Sequence, residues 1–231
     1  MNFQSKITKE ELNKMPVVAF TGKIVIVDKD RNVKKVIEEL STHPLVGIDT
    51  ETKPSFAKGI YYQIALLQIA TDTVCYLFRL NKINSKSEEF IFQFLGNENI
   101  MKIGLSLKDD FSRLHCLNNG KPANFVDLQT IAKRYGILEL GLQKMFAIVF
   151  GQKISKSQQL SNWENAVLTP AQQRYAATDA WAALQIYKRL KQEKPLPKKV
   201  VDEMLAQTLV EQQELSRQNA LRNHNEENKN E

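Results

Sequence analysis

The sequence predicts an α/β domain with a mixed central sheet, antiparallel in its opening strands and flanked by helices. Two observations predict it. Three apolar runs in succession, LVGID at Leu45–Asp49, YQIALLQIA at Tyr62–Ala70 and TVCYLF at Thr73–Phe78, read as strands of a meander. Strand and helix signals then alternate to residue 190, the pattern of a sheet covered by helices.

Taken in order, KIVIVD at Lys23–Asp28 is a short strand, and Asn32–Pro44 has helical spacing through Val33, Val36, Ile37 and Leu40 before Pro44 stops it. The second and third meander strands are joined by Thr71 and Asp72, short enough for a tight hairpin. A loop with Pro54 and Gly59 separates the first from the second. A helix near Ser87–Leu95, a strand at Met101–Leu105 and helices near Lys108–Leu117, Leu128–Tyr135 and Gly141–Phe150 follow. Thr169 caps the last long helix, Pro170 suits its first turn, and Gln172 completes a capping box, so it runs to about Leu190. These signals divide the chain into an N-terminal arm at 1–22, a folded α/β domain at 23–190 and a polar tail at 191–231. The tail has partial helical periodicity after the linker KPLPKK, and its end, NHNEENKNE, is predicted to be disordered.

Composition narrows the function classes. Of 231 residues, 42% are apolar and 25% charged, enough to bury a core. The 32 basic against 26 acidic side chains leave a charge of +6 and a pI near 9.2. Residues 191–231 carry seven basic and eight acidic groups, so the first 190 residues hold a net of +7 and the folded body is the part suited to an anionic partner. No apolar run reaches the roughly 18–20 residues of a membrane span. The charged start, MNFQSKITKEELNK, lacks a signal-peptide h-region, so the mature chain is expected to begin there. Cys75 and Cys116, with no CxxC spacing, predict neither a disulfide framework nor a structural zinc site, and favour a cytoplasmic location. No membrane and no obligate protein partner are implied.

Three acidic features stand at element ends. Asp49-Thr50-Glu51 closes the first meander strand, and residues two apart on a strand share a face, so both carboxylates project together, either as ligands of a divalent cation or as a solvated strand end. Tyr175 and Asp179 are four apart on the long helix and share a face, which also fits a core ring beside a solvated acid. Asp109-Asp110 opens the helix after MKIGL, where the helix dipole alone favours acids. D-x-E and Y-x-x-x-D each occur once in the chain. Their fixed order, each at a place where side chains converge on one sheet edge, carries more than any one of them.

With VGIDTET, KIGLSLKDDFSRL and LSNWENAVLTPAQQRYAATDAWAALQIY in that order, the chain from Val46 to about Leu190 resembles the DEDD superfamily of 3′-to-5′ exonucleases, tyrosine subtype, the group of ribonuclease D and the Werner-type exonuclease domain. The resemblance implies a ribonuclease H-like fold. It also implies two divalent cations, Mg²⁺ or Mn²⁺, held by Asp49, Glu51, Asp110 and Asp179, with Asp109 as the alternative in the second motif. Tyr175 would orient the attacking water, since Arg174 stands where the histidine subtype has its histidine. The implied activity is hydrolysis of terminal phosphodiesters of DNA or RNA from the 3′ end, releasing nucleoside 5′-monophosphates. A non-catalytic nucleic-acid-binding module of the same fold and a hydrolase of short oligonucleotides are the alternatives.

Substrate contacts expected from the same resemblance are Thr50, Lys156 and Asn162, while Trp163 is expected to pack. Lys53, Lys58, Lys102 and Lys108 are placed near the catalytic edge as candidates to neutralise phosphates. His43, His115 and His224 have no metal-ligand spacing.

Overall fold

The computed structural model describes residues 3–54, 62–106 and 122–227. A six-stranded sheet forms its centre, in the order β2-β5-β4-β3-β6-β7. Its strands are β2 (Lys23–Val27), β3 (Leu45–Thr52), β4 (Ile64–Ala70), β5 (Val74–Arg79), β6 (Met101–Gly104) and β7 (Phe125–Asp127). β3, β4 and β5 are antiparallel neighbours, as the meander predicts, whereas β2 joins β5, β6 joins β3 and β7 joins β6 in parallel. The three-residue β4–β5 turn suits an antiparallel pair, while the parallel pairs β2–β5, β3–β6 and β6–β7 join strands separated by longer stretches of chain.

Helices cover both faces. α2 (Asp30–Leu40) and α3 (Ser85–Leu95) pack with Ile48, Leu67 and Ile69 on one face. On the other lie α4 (Leu128–Lys133), α5 (Leu142–Phe150) and the long α6 (Pro170–Leu190), whose alanines Ala176, Ala177 and Ala180 bring it close to the strands. The predicted capping box starts α6: the Gln172 N–H donates to Thr169 Oγ1 at 3.2 Å, and the Thr169 N–H donates to Gln172 Oε1 at 3.0 Å.

Several boundaries differ from the sequence reading. α2 stops at Leu40, short of Pro44, because Ser41 folds its hydroxyl onto the Ile37 carbonyl and ends the turn. β3 runs three residues past Asp49, so D-x-E lies inside the strand, still paired with β4. The β4–β5 connection has three residues, with the Thr71 hydroxyl accepting from the Val74 N–H and donating to its carbonyl. The predicted helix at Lys108–Leu117 lies outside the described residues.

The N-terminal arm packs against the body of the fold. It carries α1 (Lys9–Lys14) and buries Phe3, Ile7, Leu12 and Phe20. β1 (Val17–Val18) pairs in parallel with β8 (Lys153–Ile154). Beyond the domain, α7 spans Lys198–Glu227 and enters part of the stretch predicted to be disordered; the pairs Lys198–Asp202 and Lys199–Glu203 suit a solvated helix. Among the described residues, no helix is long and apolar enough to cross a membrane.

Candidate functional site

A cleft of about 260 Å³ opens where β3 meets the first turns of α6. Asp49 and Glu51 reach it from β3 and Asp179 from α6, and one carboxylate oxygen of each lies within 4.8 Å of the others. The two D-x-E acids share a face because alternate residues of a strand do. Asp179 meets them because α6 crosses that face in close contact, with the Ala180 carbonyl set against Gly47.

Burial dominates the electrostatics of Asp179. It pushes the carboxyl up to about 7, against the Tyr175 hydroxyl and the charge of Lys156, which both pull it down. Tyr175, one helical turn earlier, hydrogen-bonds Asp179 and lines the same cleft. Its own ionisation is pushed up by burial first and then by the surrounding carboxylates, so the phenol stays protonated and acts as a donor. Lys156 and Thr50 also line the cleft.

Local interactions fix these positions. The β1–β8 pair holds Lys153 and Ile154 in register, and the Gln143 amide donates to the Ile154 carbonyl at 2.5 Å, delivering Ser155 and Lys156 to the opening. The loop before α6 is clamped from the far side. The Arg79 guanidinium, the Asn81 amide and the Lys82 ammonium donate to the successive carbonyls of Asn165, Glu164 and Ala166. Lys53 lies 3.8 Å from the Glu164 carboxylate. The clamp seats Trp163, fully buried as expected, with its ring centroid 5.9 Å from that of Tyr175.

Other predicted residues fall elsewhere. Asn162 turns its Oδ1 to the Glu164 N–H at 3.1 Å and does not line the cleft. Lys102 is fully buried, donates to the Asn97 carbonyl at 2.7 Å and lies over the Phe125 ring, so it is unavailable to a phosphate backbone. Asp109, Asp110, Lys58, Lys108 and His115 lie outside the described residues. The chain enters that stretch through Ser106, whose left-handed φ of 55° is accompanied by an N–H donated to Asp127 Oδ1 at 3.3 Å.

Sequence reasoning missed Arg79 and Gln159. Arg79, at 2% exposure, is the one charged residue of the strand VCYLFR, a pattern that marks a buried cation with a fixed partner. Gln159 lines the cleft from an irregular loop without a periodic signal.

Among the described residues the donors are three carboxylates, with no sulfur or nitrogen among them, which suits a hard cation such as Mg²⁺ or Mn²⁺. Burial raises the Asp179 carboxyl, so a cation held beside it would favour its ionised form.

The comparisons agree with this architecture. A family model described as 3′-5′ exonuclease matches residues 24–194. The bifunctional 3′-5′ exonuclease/ATP-dependent helicase WRN of Mus musculus is 30% identical over 185 residues, which cover 76% of this chain and 13% of that protein. The chain thus matches a small part of that relative's length. Among solved structures, the Nibbler EXO domain of Aedes aegypti superposes with a TM-score of 0.69 at 20% identity, covering 82% of this chain and all of that one. The Trypanosoma brucei RNase D complex with RNA U12 superposes with a TM-score of 0.68 at 20% identity, covering 81% and 70%. These likenesses show the fold, which is ribonuclease H-like.

Proposed function

Because the chain belongs to the 3′-5′ exonuclease family, we propose that it hydrolyses the terminal phosphodiester of a nucleic-acid 3′ end and releases nucleoside 5′-monophosphates. The observation that carries this reading is the convergence of Asp49, Glu51 and Asp179 within 4.8 Å beside the Tyr175 hydroxyl. Asp110 completes the proposed ligand set from the segment outside the described residues. When bound, two divalent cations supply positive charge to the scissile phosphate and to the departing 3′ oxygen.

The chain's own groups do the rest. Asp49, Glu51 and Asp179 hold the cations through oxygen. The Tyr175 hydroxyl, which spans to Asp179, orients a water at the phosphorus through its oxygen and lets the proton pass to solvent or carboxylate. Water oxygen forms the new P–O bond, the P–O3′ bond breaks, and the 3′ oxygen leaves with a proton. Lys156, which lines the cleft, compensates phosphate charge, and Thr50 lines it between the two β3 ligands. The net +7 of the first 190 residues supports a polyanionic substrate, and a relative's fold is held in complex with RNA.

The test is a cleavage assay on single-stranded, blunt and 3′-recessed DNA and matched RNA, labelled at the 5′ end, with Mg²⁺, Mn²⁺ or EDTA. The expected result is a metal-dependent ladder that shortens from the 3′ end and is absent in Asp49→Ala. Binding without a ladder overturns the catalytic reading, and cleavage confined to oligonucleotides of two to five residues redirects it to a short-oligonucleotide hydrolase.

A further inference from the structure

In β4, IALLQIA, Gln68 is the one polar side chain among apolar neighbours, and it is fully buried. Neither Nε2 nor Oε1 has a hydrogen-bond partner among the described residues. A buried primary amide left in that state is costly, so its retention in the middle of the sheet calls for a use.

The register supplies one. Gln68 is directly opposite Asp49 in the antiparallel β3–β4 ladder, and residues so paired put their side chains on the same face with Cβ atoms about 4.5–5.5 Å apart. That face is the one beneath α6, because Leu66 and Ala70, two residues to either side, pack there with Ala176, Ala177 and Ala180. On its other flank Gln68 faces Leu77 of β5. Of the two residues paired directly with it, Asp49 and Leu77, only the Asp49 carboxylate can accept a hydrogen bond from its amide. A carboxylate can accept from several donors at once, so a bond from Gln68 coexists with the other interactions of Asp49. Gln68 does not line the cleft, which places it behind the carboxylate rather than in contact with substrate.

We propose that Gln68 is a positioning residue: its amide, without a partner among the described residues, turns its Nε2 to donate to the Asp49 carboxylate when a divalent cation binds and holds that carboxylate in the orientation the cation requires. The inference rests on the metal-dependent reading above. Partners of this kind behind ligating carboxylates typically change metal affinity 10–100-fold when removed.

The experiment titrates Mn²⁺ into the full chain and into Gln68→Met by calorimetry, with thermal midpoints of both proteins in EDTA. The expected result is 10–100-fold weaker Mn²⁺ binding with a metal-free midpoint unchanged or raised, since an apolar side chain of similar length removes an unpartnered amide. Equal affinity in the two proteins overturns the role of Gln68 and leaves the metal site standing. A wild-type chain that binds no Mn²⁺ overturns both. Should Gln68→Met fail to fold, the side-chain amide resonances of Gln68 in wild-type protein replace it: a shift on adding Mg²⁺ supports the role, and a static pair overturns it.

Discussion

Gly47 and Ala180 approach so closely that a Cβ on Gly47 would lie 2.0 Å from the Ala180 carbonyl oxygen. This contact sets the spacing of β3 and α6, and Asp49 and Asp179 stand just beyond it on the two elements. Because the obstructing atom is backbone, no rotamer change relieves it. Gly47→Ala is expected to destabilise the domain by about 1–3 kcal/mol, read from urea unfolding. Where it folds, turnover should fall about 10²-fold through displaced carboxylates. A variant with wild-type stability and turnover would show that the helix can back away at no cost.

Asp179 gives the metal-free protein a pH dependence with a definite sign. Its folded carboxyl is raised to about 7, above the ordinary value near 4. Its contribution is therefore fully present below pH about 4 and is lost as pH rises towards 7, because the unfolded chain ionises first. In EDTA, the thermal midpoint of the wild type should fall across that window relative to Asp179→Asn, which lacks the titrating group. Mn²⁺ should raise the wild-type midpoint more at pH 7.5 than at pH 5, since cation and proton compete for the same oxygens. Parallel curves for the two proteins would assign the pH dependence elsewhere.

Tyr175→Phe keeps the ring against Trp163 and removes only the hydroxyl that contacts Asp179. The turnover number should drop on the order of 10²-fold with KM nearly unchanged, the signature of a group acting in the chemical step. An unchanged turnover number would leave Tyr175 a packing role alone.

Arg79 holds the loop that carries Trp163. Its replacement in Arg79→Met leaves the Asn165 carbonyl without its donor, and the expected loss is about 1–3 kcal/mol, with turnover lowered because Trp163 supports the Tyr175 ring. An unaltered urea midpoint would mean that Asn81 and Lys82 suffice to hold the loop.

Lys156 faces Asp179 across the cleft. Lys156→Ala should raise KM for a single-stranded substrate several-fold, with a shallower salt dependence of binding. Identical salt slopes for variant and wild type would remove Lys156 from the phosphate contacts.

The sequence by itself determined the meander, the alternation that follows it, the capped final helix and the identity of Asp49, Glu51, Tyr175 and Asp179 as the residues to watch. The elements are encoded locally, by a strand period of two, a helix period near four or a cap at fixed offset, and the four residues were singled out by the resemblance of their motifs to those of the exonuclease family. Tertiary structure alone decided what depends on contacts between residues far apart in the chain. It set Gln68 opposite Asp49 in the ladder, clamped the Asn165 loop through Arg79, and buried Lys102 where a phosphate contact was expected. It also drew the N-terminal segment into the core through the two-residue strands β1 and β8, which are too short to show any period. Those arrangements follow from strand register and helix docking, and a neighbour across a sheet leaves no mark on the residues beside it in sequence.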